Sequence, residues 1–128
     1  MGLHGQQYWR ARFAQDRRCL EERRKQAMAQ ALGAAWRLRD RWHDLRGMWV
    51  FGSVLGPGFR DHSDLDLLAE GLPPTALLEA LALAEAEGPL TVDLKRVEDL
   101  GPELRRRLMA HARPLPLSRW EGAGDDGA

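Results

Sequence analysis

The chain has 128 residues, 44% of them apolar, which suffices for one packed domain and leaves little for a second. Its nineteen basic and nineteen acidic side chains cancel, so net charge gives no footprint for direct nucleic-acid binding, and no apolar run is long enough to span a membrane. The lone Cys19 excludes an internal disulfide, the four histidines (His4, His43, His62, His111) show no zinc spacing, and the first residues lack a signal-peptide core; a cytoplasmic protein is expected.

Residues 1–46 carry eleven basic against five acidic side chains, a balance of +6, which leaves −6 for the rest. From Gln6 to Leu45 there is no proline and one glycine, Gly33, among good helix formers. Trp9, Phe13, Leu20, Met28, Ala31, Leu32, Ala35 and Leu38 recur at steps that trace one helix face. The region therefore predicts one long helix, or two with a break near Gly33, forming an N-terminal arm over 1–46 that packs on the core. Its basic side chains read as a solvated face.

Met48-Trp49-Val50-Phe51, bounded by glycines, reads as a buried strand, followed by Gly52-Ser53 and a loop with Gly56, Pro57 and Gly58. Leu65-Asp66-Leu67-Leu68 is a second strand in which carboxylate and leucine alternate. Gly71-Leu72-Pro73-Pro74-Thr75 introduces a helix over Ala76 to Glu87, which Gly88-Pro89 stops. Leu90 to Leu94 is a third strand and Pro102 to Ala112 a last helix. Arg113 to Leu117 reads as extended, and 121–128 as a disordered tail. The order predicts a small α/β (α+β) domain over 47–120, a mixed sheet of about three strands covered by helices.

Strand side chains alternate between faces. Asp64 and Asp66 thus share a face opposite Leu65 and Leu67, and Asp93 leaves the apolar face of its own strand in the same way. Three converging carboxylates repel and raise one another's pKa, a cost that a bound cation removes. Oxygen-only ligands on a rigid sheet suit Mg²⁺, and paired ions can clamp the oxygens of a phosphoryl displacement. Gly52 lets a phosphate approach the backbone, and the hydroxyl of Ser53 with exposed N–H groups can hold its oxygens.

Gly52-Ser53, ten residues, then Asp64-Leu65-Asp66, with Val92-Asp93-Leu94 beyond, resembles the signature of the nucleotidyltransferase superfamily of the DNA polymerase β type. In length and layout the chain is most similar to the minimal nucleotidyltransferases, over about residues 47–117. The resemblance implies that Gly52 and Ser53 bind the triphosphate and that Asp64 and Asp66 bind the metals. It implies too that Asp93 binds one metal and acts as general base toward the acceptor hydroxyl. Gly56 stands where members of the family carry an arginine, so one phosphate-binding cation is missing. Arg60, at a position where many members also have arginine, and Lys95, on the face of Asp93, are the candidates to compensate.

The resemblance further implies an antitoxin that moves AMP from ATP, with Mg²⁺, onto a tyrosine of a partner HEPN ribonuclease toxin. One alternative is an antitoxin that neutralises its partner by binding alone, with a vestigial site. The other is a small-molecule nucleotidyltransferase, although such enzymes generally add a helical acceptor domain for which this chain is too short. The aromatic and basic N-terminal region is a surface that could dock a partner. The tryptophans Trp9, Trp36, Trp42, Trp49 and Trp120 are nevertheless more often core than contact, with Trp49 expected in the core and Trp120 the best contact candidate.

Overall fold

The computed structural model describes residues 2–60 and 62–118. Trp120 and the tail at 121–128 lie outside the described residues. The helix-forming run at the start becomes one unbroken helix, α1 (Gly2–Arg41). Gly33 does not interrupt it. A Cβ there would lie 3.4 Å from the side chain of Glu87, an ordinary contact, so the loop after the second helix lies against α1 at this point. On the inward face Ala27, Ala31, Ala34, Ala35 and Leu38 are fully buried. Four of these five are alanines, which allow close approach of the backbone at no side-chain entropy cost.

The apolar stripe is not buried along its whole length. Residues 5–13 are exposed, with Tyr8, Trp9 and Phe13 each more than half open to solvent, Tyr8 edge-on to Trp9 and Trp9 stacked on Phe13. Geometry explains the difference from expectation. A helix of 40 residues is about 60 Å long, whereas strands of five or six residues span about 20 Å. The sheet has no surface left to cover the first turns.

The sheet has four strands, one more than the sequence pattern announces: β1 (Gly47–Phe51), β2 (Leu65–Glu70), β3 (Val92–Arg96) and β4 (Arg113–Pro114), in the order β3-β2-β1-β4. β1 is antiparallel to both β2 and β4, while β2 and β3 are parallel. The parallel pair is joined by α2 (Leu77–Glu85), entered through a 3₁₀ turn at Pro74–Ala76. β4 comes from the segment read only as extended. Its Pro114 can donate no ladder hydrogen bond, which confines it to a two-residue edge strand. α3 (Pro102–His111) begins with proline in its first turn.

The two sheet faces are covered differently. Met48, Val50, Leu65, Leu67, Ala69, Val92 and Leu94 form the main core with α1 and α2. Phe51, Leu68 and Val97, with Trp49 partly buried beside them, pack under Leu108, Met109 and Ala112 at α3. Among the described residues no helix is long and apolar enough to cross a membrane.

Candidate active site

The register of the three long strands sets the site. Phe51 at the end of β1 pairs with Asp66 on β2, and Asp66 pairs with Asp93 on β3. Paired positions point to the same face, so Asp66 and Asp93 stand side by side, with Asp64 just before β2. This is the face that α3 covers farther along, where Trp49 and Leu68 continue it. The alternation read from the sequence is therefore realised, and the charges of Asp93 and Asp64 both act on Asp66. Asp66 is raised from an ordinary 3.8 to about 6. Partial burial is the first cause, the charge of Asp93 the second and that of Asp64 the third, with Lys95 pulling the other way.

The outer two carboxylates have partners within the chain. Thr91 donates its hydroxyl to Asp64 Oδ1, and Lys95 Nζ lies 2.9 Å from Asp93 Oδ2. Lys95, two residues on along β3, shares the Asp93 face as the alternation requires. Among the described residues no three His, Cys, Asp or Glu side chains already close on one point as a ligand set. The residues nonetheless fit a hard divalent cation. They offer only carboxylate oxygens, and Asp66 has its proton affinity raised by two negative neighbours, a charge imbalance that such a cation relieves.

Gly52 and Ser53 form the start of a 3₁₀ turn (Gly52–Leu55) straight after β1. Gly52 has φ +81, and a Cβ on it would collide with the Asp66 carboxylate. Glycine is required here twice over, for its backbone and for the carboxylate packed against it. The Gly-Ser motif and the carboxylates are thus one cluster.

Arg60 is brought elsewhere. Its guanidinium donates to the carbonyls of Pro57 (3.1 Å) and Phe59 (3.0 Å), and it lines a hollow with Asp16, Cys19 and Leu20 of α1. The cation that does reach the Gly-Ser loop is Arg24 of α1, which the sequence pattern did not single out. Its Nε donates to Val54 O at 3.0 Å and its Nη2 to Gly56 O at 2.8 Å, and it lies over the ring of buried Phe59. No local signal could find it, because thirty residues separate it from Val54.

No protein-family model and no curated protein matches the chain. Solved structures do. A protein assigned as a minimal nucleotidyltransferase is 28% identical, with 78% of this chain and 96% of that one covered at a TM-score of 0.52. A chain of a toxin–antitoxin complex crystallised with AMP-PNP matches at 21% identity and TM-score 0.55, over 66% of this chain and 70% of that one. A chain from a variant of the MntA–HpeT toxin–antitoxin pair matches at 18% identity and TM-score 0.53, with the same coverage. The chain thus has a nucleotidyltransferase fold, the one it shares with the solved structure assigned as a minimal nucleotidyltransferase.

Proposed function

We propose that the chain is an antitoxin of the minimal nucleotidyltransferase type, which transfers AMP from ATP to a tyrosine of a HEPN ribonuclease partner in the cytoplasm. The observation that carries the reading is the strand register that sets Asp66 and Asp93 side by side, with Asp64 and the Gly52-Ser53 turn against them. The solved toxin–antitoxin complex with AMP-PNP supports a nucleoside triphosphate as the donor.

In this reading Gly52 and Ser53 bind the phosphates through backbone N–H groups and the serine hydroxyl, and Asp64, Asp66 and Asp93 hold Mg²⁺. Bound there, Mg²⁺ supplies Lewis-acid polarisation of the phosphate and neutralises the crowded carboxylates. Asp93 accepts the proton of the tyrosine hydroxyl as its oxygen bonds to the α-phosphorus. The bond to the pyrophosphate oxygen breaks, and pyrophosphate leaves. Lys95 is paired with Asp93 at 2.9 Å and would be free to contact phosphate if a metal were held by that carboxylate. Arg60 is a second phosphate ligand only if its loop releases it from Pro57 and Phe59.

A second reading, neutralisation by binding alone, rests on two observations. Gly56 supplies no cation, and Asp64 and Asp93 are already satisfied by Thr91 and Lys95. Mass spectrometry of the partner after incubation with ATP and Mg²⁺ separates the two. One or more adenylate masses on a tyrosine are expected, and Asp93→Asn is expected to stop the labelling while the complex still forms. An unmodified partner held in a stoichiometric, inactive complex would leave the fold standing and make the binding-only reading the correct one.

A further inference from the structure

The missing arginine at Gly56 leaves the triphosphate with one cation fewer than the motif supplies, and the structure offers replacements from an element that the motif does not include. A cleft of about 510 Å³ opens directly beside the Gly-Ser turn. It is lined by Phe51, Gly52, Leu55 and Gly56 and by Arg107, Leu108 and His111 of α3. Arg107 and His111 are four residues apart on one helix, so they lie one turn apart on the same face. The only ion pair of Arg107 among the described residues is a 3.9 Å contact with Glu103, and both partners are well exposed. Such a pair contributes little and yields readily to a stronger anion.

The cleft and the carboxylates share a boundary. Gly52 lines the cleft, and the space beside its Cα is filled by the Asp66 carboxylate. Phe51, also a wall, is the register partner of Asp66. An anion held by the Gly52-Ser53 turn therefore has the carboxylates on one side and Arg107 and His111 on the other. From this we infer that Arg107 and His111 bind the outer phosphates of the nucleoside triphosphate and take the place of the arginine absent at position 56. The inference rests on the nucleotide-binding reading above and adds the residues that complete its phosphate site.

Calorimetry on the full chain with Mg²⁺ tests it, using ATP and inorganic tripolyphosphate as probes. The double variant Arg107→Gln, His111→Gln is expected to weaken both probes about tenfold or more, the scale of a lost charge-assisted contact. Both side chains are exposed, so its melting temperature without ligand is expected to match the wild type. Adding Gly56→Arg to the double variant is expected to restore most of the lost affinity. Gly56 has an extended backbone at φ −140, and nothing lies within 4 Å of where its Cβ would sit, so the new side chain enters open space. Unchanged affinity for both probes in the double variant would overturn the inference. So would weakened ATP with unchanged tripolyphosphate, which would put the base or sugar in the cleft. A wild-type chain that binds neither probe would sink the nucleotide reading itself, a result distinct from the other two.

Discussion

The electrostatic cost of grouping three carboxylates falls on Asp66, the one with burial and two negative neighbours together. Because its folded pKa is raised from 3.8 to about 6, the folded state holds a proton that the unfolded state has released over that window. Stability is unimpaired by Asp66 below about pH 3.8, falls as pH rises, and carries the full penalty above about pH 6. Asp66→Asn is therefore expected to leave stability unchanged at pH 3.5 and to raise it at pH 7 without metal. The gain is on the order of 1 kcal/mol, since water screens a group that is only half buried. Urea titrations at the two pH values check this, and parallel profiles for the two proteins would contradict it. The placement of Asp64, Asp66 and Asp93 was legible in the sequence because a strand's period of two assigns faces without any knowledge of the fold. Arg24, which reaches Val54 and Gly56 from α1, was not legible, nor was Arg107, which lines the cleft beside that turn, since each sits on a helix remote in sequence and only the packing of α1 and α3 brings it there.

At the scale of elements, the junction between α1, α2 and β3 depends on one polar side chain. Gln30 is 1% exposed. Its Nε2 donates to Ala84 O (3.2 Å) and Leu90 O (2.9 Å), and its Oε1 accepts from Leu90 N at 2.8 Å. It closes the N–H and carbonyl of Leu90 where the chain turns into β3, and adds a second donor to Ala84 O, which already accepts from Glu87 N. Gln30→Leu is close in volume but strands buried backbone donors and acceptors, each worth roughly 1–3 kcal/mol, so a loss of about 3 kcal/mol is expected in urea unfolding. A loss under about 1 kcal/mol would show that water replaces the amide. The pattern rules also missed β4, for a related reason. Two prolines in five residues, Pro114 and Pro116, argue against a strand in general, yet an edge position asks for only two paired residues. The three longer strands and both short helices were legible from alternation and from the Gly and Pro that bound them, within one or two residues at each end.

For the whole molecule, charge and packing divide the chain into unequal parts. The inner half of α1 is core, whereas residues 5–13 contact neighbouring turns, through the Arg12–Asp16 pair at 3.7 Å and the Tyr8–Trp9–Phe13 ring contacts. A helix without packing is marginal in water, because local pairs contribute only tenths of a kcal/mol. Amide protons of residues 5–13 are therefore expected to exchange within seconds to minutes. Those of Ala31 to Leu38 are expected to exchange only when the domain unfolds. Equal protection along α1 in hydrogen-exchange mass spectrometry would show that the outer turns have support of their own. The continuity of this one helix has a practical consequence for thermal melts. Far-UV ellipticity sums every helical turn, so warming is expected to erode the signal gradually from the exposed turns at residues 5–13 before the sheet gives way. A midpoint taken from far-UV ellipticity would then track fraying, whereas exchange of the buried sheet amides would report the loss of the domain.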